Sequence, residues 1–139
     1  MFMSDVSIIV RKMRAFAERG SDQLGIGFPE QLVLMHLAAN GSSNQDAIAA
    51  SLNIDKGAVA KTVAKLEEKG LVTREVNAQN KREKLVSATP AAARKLQAMT
   101  KRYERLEEIM FSGLSPEERE ALSSSIARVA KNLSESEEQ

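Results

Sequence analysis

The chain has no cysteine and a single histidine in 139 residues. Those shortages exclude disulfides, thiol nucleophiles and Cys-ligated zinc, and leave too few imidazoles for a His-rich metal site, so no metal or other cofactor is expected. A Gly-rich phosphate loop, an H-E-x-x-H pair and an activated-nucleophile pattern are also missing, which argues against an enzyme. No apolar run approaches the roughly 20 residues of a membrane span, and Ile8-Ile9-Val10 is cut short by Arg11, Lys12 and Arg14. A soluble, cytoplasmic protein with no membrane partner is expected. Charge of one sign is lacking too. Twenty Lys+Arg face 19 Asp+Glu for a net charge of +1, which excludes a uniformly basic or acidic protein and moves attention to where the charges sit.

With three prolines and seven glycines, little interrupts a chain rich in Ala, Leu, Glu, Lys, Arg and Gln, so the prior is mostly α. One globular domain fits residues 1–139, and 42% hydrophobic residues suffice for a core. From Val6, the residues Ile9, Val10, Met13, Phe16 and Ala17 recur at helical spacing, with Gly20-Ser21-Asp22 as the expected stop. Pro29 suits a helix start, and Leu32, Val33, Leu34, Met35 and Leu37 form a nearly all-apolar helix ended by Asn40-Gly41. After a Gly41-Ser42-Ser43 loop, Asn44 is a good N-cap for a short helix through Ser51, Asn53-Ile54 is a tight connection, and Asp55 caps a further helix to Lys69, stopped by Gly70. Two helices joined in this way are a helix-turn-helix pattern.

Leu71–Val76 and Glu83–Ser87 are β-capable runs separated by the polar segment Asn77–Arg82, which predicts a hairpin with a basic tip. Pro90 restarts helix, with Leu96, Met99, Tyr103, Leu106 and Met110 as a stripe. Gly113 breaks it, and Ser115-Pro116-Glu117-Glu118 begins a last helix carrying Leu122, Ile126, Val129 and Leu133. The end, Ser134–Gln139, is polar and expected to fray.

On the fourth helix, Val59, Val63 and Leu66 share one side, which leaves Gly57, Ala60, Lys61, Ala64 and Lys65 facing out. Small residues let a backbone approach a grooved polyanion, and lysines reach phosphates. Lys56–Lys84 contains eight basic and four acidic residues, locally about +4, whereas beyond Tyr103 nine glutamates outnumber four basic residues, about −5. Taken alone, such lysines are more often the solvated side of an ordinary helix. A helix-turn-helix running straight into a basic hairpin is a winged-helix arrangement, in which the second helix enters the major groove and the hairpin tip the adjoining minor groove.

Asn44-Gln45-Asp46-Ala47-Ile48-Ala49, Leu52–Val59, Leu66-Glu67-Glu68-Lys69-Gly70-Leu71-Val72 and Asn80-Lys81-Arg82 with Leu85–Pro90 together resemble the MarR family of bacterial transcription regulators in order and spacing. The resemblance implies a winged helix-turn-helix lobe over 28–89, with the helices of 1–24 and 90–134 interlocking two subunits. It also implies a homodimer that reads a pseudo-palindromic operator in double-stranded DNA, as a repressor. Lys56, Gly57, Ala60 and Lys61 would approach base edges and phosphates, Lys65 the backbone and Arg82 the minor groove, with Asn80 and Lys81 as further DNA-binding residues of the wing. The family's wing carries Asp-x-Arg, the Asp pairing with a neighbouring Arg; here Asn80 stands at that Asp, so the ion pair is lost while Arg82 is kept.

The resemblance further implies a small aromatic or anionic effector in a cleft near the first, second and fifth helices, where Phe16, Met35, His36 and Met99 are candidate lining. Against that, Met and Phe at helical spacing are usually core filler and a lone helical histidine is usually structural. Without cysteine the protein is not one of the family's thiol-switched sensors. The alternative from another class is a winged-helix module that turns the same basic face to an acidic protein partner.

Overall fold

The computed structural model describes residues 1–136. Its elements are α1 (Phe2–Leu24), α2 (Phe28–Asn40), β1 (Ser43–Asn44), α3 (Gln45–Leu52), α4 (Lys56–Glu68), β2 (Val72–Asn77), β3 (Asn80–Ala88), α5 (Pro90–Met110) and α6 (Pro116–Glu135). The fold is mostly α with a small antiparallel sheet, as the composition implies. Ser134 and Glu135 close α6 in helical conformation where fraying was expected. Residues 137–139 of that polar end lie outside the described residues.

Two compact units divide the chain, Met1–Arg102 and the stretch from Tyr103 onward. In the first, Val33, Leu34 and Leu37 of α2, Ile48 of α3, and Val59, Val63 and Leu66 of α4 bury against Leu71, Val72 and Val86. Leu24, Ile26, Ala92 and Met99 are also buried. At roughly 1.5–3 kcal/mol per buried aliphatic side chain, this core fixes how α4 is presented. The sheet order is β1-β3-β2, with Ser43 opposite Val86 and Asn44 opposite Leu85. Strand β1 was expected as loop, because two residues carry no alternation to read.

Helix α1 does not stop at Gly20. It runs on to Leu24 and closes at Gly25, whose left-handed φ of 71° lets its N–H return to Ser21. Gly20 is buried instead, and a Cβ there would lie 3.1 Å from the Arg102 guanidinium, so this glycine admits a side chain from α5. Lys95 Nζ donates to the Leu24 carbonyl and completes the helix end.

In the second unit, Ser115 caps α6 by accepting from the Glu118 N–H at 3.1 Å, while Glu118 returns a carboxylate to the Ser115 N–H. Arg119 lies 4.8 Å from the Phe111 ring centroid and 3.7 Å from Glu107. No residue of α6 is buried, although Leu122, Ile126, Val129 and Leu133 form an apolar stripe along it.

Candidate nucleic-acid interface

Side-chain caps set the geometry of α3 and α4. Asn44 Oδ1 accepts from the Ala47 N–H at 2.6 Å and Asp55 Oδ1 from the Ala58 N–H at 3.1 Å, each stabilising its helix by about 1 kcal/mol. Between them Asn53 takes the left-handed conformation (φ 51°), and the Ile54 N–H reaches back to Ala49 at 3.1 Å. Asn tolerates that region better than most residues, which is what the tight turn requires.

Val59, Val63 and Leu66 point into the core, while Gly57, Lys61 and Lys65 are exposed and Ala60 and Ala64 half-buried. The face is therefore low in relief along its middle and basic on its flank. Lys56, at the first turn, is 3.5 Å from Asp46, both well solvated, so the pair holds neither residue firmly.

Two of the basic residues counted between Lys56 and Lys84 are committed internally. Lys69 Nζ bonds Glu30 at 2.8 Å and the Gly25 carbonyl at 3.2 Å. Glu30 is buried and also accepts from the Gly27 N–H, so the lysine neutralises an acid that starts α2. Arg74 of β2 donates to Glu67 of α4 at 2.9 Å. That hydrogen bond holds the Glu67 carboxyl below its ordinary pKa and raises Arg74 in turn. Among the described residues, Lys61, Lys65, Lys81, Arg82 and Lys84 have no ion-pair partner.

The hairpin differs from expectation at its tip. Asn80 opens β3, and pairing jumps from Val76 opposite Lys84 to Asn77 opposite Asn80. Lys81, Arg82 and Glu83 consequently stand opposite no residue of β2. Such a bulge re-aims side chains, here the two basic ones. Asn80 Oδ1 accepts from the Arg82 N–H at 3.2 Å and shapes the turn locally. The carboxylate at the wing belongs to Glu83, which accepts from Asn44 Nδ2 and, at 3.3 Å, from Asn77 Nδ2. The sequence marks Glu83 as the start of a β-capable run and as one of four acids between Lys56 and Lys84, with no sign of a partner. Its partner Asn44 lies 39 residues away, and nothing short of the β1–β3 pairing brings the two together.

The four effector candidates occupy different settings. Phe16 is half-buried beneath the Arg102 guanidinium, 4.4 Å from its ring centroid. Met99 is wholly buried, Met35 is exposed, and His36 is buried with Nε2 3.1 Å from Ser43 Oγ and Nδ1 3.3 Å from Asn40 Nδ2. An open recess of about 600 Å³ is lined by Gln23, Leu24, Leu71, Pro90, Ala91, Arg94, Lys95 and Ala98, and by none of the four.

A sequence model of the MarR family matches residues 29–84, the stretch from the start of α2 to the wing. The chain is 31% identical over 118 residues to YwoH, an uncharacterized HTH-type transcriptional regulator of Bacillus subtilis strain 168, covering 83% of this chain and 85% of that protein. Among solved structures it resembles MarR, with a TM-score of 0.77 and 26% identity over 96% of this chain and 90% of the other. It also resembles the DNA complex of MepR from S. aureus, with a TM-score of 0.81 and 25% identity over 95% and 98%.

Proposed function

The chain belongs to the MarR family of winged-helix transcription regulators, which are not enzymes, and from that membership we propose that it is a homodimeric repressor reading a pseudo-palindromic DNA operator. Helix α4 lies in the major groove with Gly57 and Ala60 against base edges and Lys56, Lys61 and Lys65 near phosphates. Arg82, preceded by Asn80 and Lys81, enters the adjoining minor groove. The protein works in the cytoplasm, and no helix among the described residues is long and apolar enough to cross a membrane.

One observation carries the reading. The outward side of α4 pairs small residues with two lysines that have no ion-pair partner, while Lys69 at the C-cap of α4 and Arg74 of β2 are paired with Glu30 and Glu67. Lys61 and Lys65 are thus left available to an external polyanion beside a surface of small side chains. Dimerisation is supported by apolar surface that each unit leaves uncovered: Phe2, Met3, Ile8 and Ile9 on α1, and Ile126 and Leu133 on α6. A two-fold pair of lobes reads half-sites one helical turn apart, roughly 34–36 Å.

The test is a titration against a duplex selected from a random-sequence library by the wild-type protein. Lys61→Ala and Arg82→Ala should each weaken binding and lower the slope of log affinity against log salt by about one. Unchanged affinity and slope in both variants would place the DNA surface elsewhere. Failure to select any duplex at low salt would favour an acidic protein as partner of the basic face.

A further inference from the structure

Resting on the wing's role as a minor-groove contact, we propose that Glu83 is the positioning residue of the wing, its carboxylate pinning the bulge that carries Arg82 to the N-cap of α3 on one side and to β2 on the other. An acid next to an arginine meant for phosphates is electrostatically unfavourable for DNA binding, so its presence there calls for a compensating role. The bulge supplies one. Lys81, Arg82 and Glu83 have no cross-strand partner in β2, which leaves the tip without the ladder that would otherwise hold it.

Glu83 restores that hold with both oxygens. Oε1 accepts from Asn44 Nδ2 and Oε2 from Asn77 Nδ2 at 3.3 Å. Each amide is turned toward the carboxylate for an independent reason. Asn44 Oδ1 is occupied by the Ala47 N–H, and Asn77 Oδ1 by the Gln79 N–H at 3.0 Å, so in both residues the Nδ2 group is the end left to face Glu83. Asn44 therefore starts α3 and holds the wing with the two ends of one side chain, and α3 and the wing share a fixed point. Both partners are neutral. Charge-assisted hydrogen bonds are thus made without using a lysine or arginine, and Lys81 and Arg82 keep their full charge for phosphates.

The sign of the effect of Glu83→Ala tests this. Removing an acid beside DNA should tighten binding if Glu83 is only a surface charge. A wing that loses its anchor should bind about tenfold more weakly to the selected duplex, and Arg82→Ala should then cost less than about twofold further, because the arginine is already misplaced. Amide hydrogen exchange on the free protein provides a readout that does not involve DNA. Glu83→Ala should accelerate exchange across Val76–Lys84 while leaving Val59–Leu66 protected, and Glu83→Gln, which keeps one acceptor oxygen, should fall between. Tighter or equal binding by Glu83→Ala, or additive losses with Arg82→Ala, overturns the positioning role, as does unaltered wing exchange. If the wild-type protein selects no duplex, the DNA-binding reading itself fails, and the role falls with it even where exchange still reveals the clamp.

Discussion

Arg102 of α5 holds its guanidinium 4.4 Å from the ring centroid of Phe16 on α1, and its Nη2 donates to the Phe16 carbonyl at 2.9 Å. The other terminal nitrogen donates to Gln23 Oε1. One side chain thus spans two turns of α1, and Gly20 lies between its contacts. A residue that would interrupt the helix by propensity is tolerated because the space where its Cβ would stand is filled by a cation. Phe16 accordingly has a structural occupant over its ring.

This arrangement makes the effect of Gly20→Ala depend on Arg102. In a helix interior, alanine is ordinarily more favourable than glycine by about 1 kcal/mol. With Arg102 present, the new Cβ comes within 3.1 Å of Nη2, so the guanidinium must shift and most of that gain should disappear. In an Arg102→Ala background the gain should return in full, while Arg102→Ala alone should cost about 1–2 kcal/mol through the missing stacking and charged hydrogen bond. Urea unfolding at one fixed protein concentration measures all four variants. Equal gains in both backgrounds would show that Arg102 does not press on Gly20.

Asn44→Asp separates capping from wing anchoring. Aspartate is ordinarily as good an N-cap as asparagine, so α3 by itself should accept the change. Here the substitution removes the Nδ2 donor and brings a second carboxylate against Glu83. A loss of about 1–2 kcal/mol is expected at neutral pH. The same substitution in a Glu83→Gln background should be close to neutral, because the glutamine amide can donate to the new acid. Thermal melts of the two pairs, compared as a cycle, check the coupling.

The fold and the outward side of α4 were legible in the sequence because their signals are local. Asn44, Asp55, Ser115, Gly41 and Gly70 mark helix ends through bonds or dihedrals within a few residues of themselves. The spacing of Val59, Val63 and Leu66 alone is enough to assign the opposite side of α4. What stayed hidden depends on partners far along the chain. Gly20 reads as a stop until Arg102 is placed over it, Lys69 and Arg74 read as surface cations until Glu30 and Glu67 are brought beside them, and Glu83 has no distinguishing feature before β1 pairs with β3. The wing tip was misplaced for a related reason: a bulge has no periodicity, so Asn80–Arg82 read as loop although they open a strand.

The Arg74–Glu67 pair should make stability fall on acidification in a defined way. The Glu67 carboxyl has a folded-state pKa below its ordinary value, because Arg74 hydrogen-bonds the ionised form. Its contribution is then fully present above the unfolded-chain pKa, declines between that value and the lowered one, and is gone below both. Glu67→Gln should therefore be less stable than the parent at neutral pH and equal to it at the acid end. Melting temperatures across that range provide the check, and a difference that persists under acid would assign the effect to packing.

Self-association should depend on the exposed stripe of α6. Ile126 is 59% exposed within the single chain, and burying such a side chain between copies contributes roughly 2 kcal/mol. Leu122→Glu combined with Ile126→Glu replaces that gain with two desolvated acids, so association should weaken by about a hundredfold or more. Sedimentation velocity over a concentration series reads this directly. A wild-type protein that stays monomeric throughout would remove the two-fold geometry from the proposed function while leaving each lobe's basic face intact.

Ala60→Leu distinguishes groove reading from simple attraction to phosphate. Ala60 lies half-buried between Gly57 and Ala64 on the outward side of α4, and a leucine there stands up from a face otherwise low enough to approach base edges. It alters no charge and removes no cap, so stability should change by less than about 0.5 kcal/mol. Nonspecific binding, which is carried by phosphate contacts and is steeply salt-dependent, should persist with nearly the wild-type slope. Preference for the selected duplex over random DNA should fall by about tenfold or more, because a well-formed interaction with a base edge supplies roughly 1–3 kcal/mol of discrimination. Lys61→Ala should produce the converse pattern, lowering specific and nonspecific affinity together along with the salt slope. Competition binding at two salt concentrations separates the two variants, and an Ala60→Leu protein that kept its discrimination would show that α4 does not read the groove from this side.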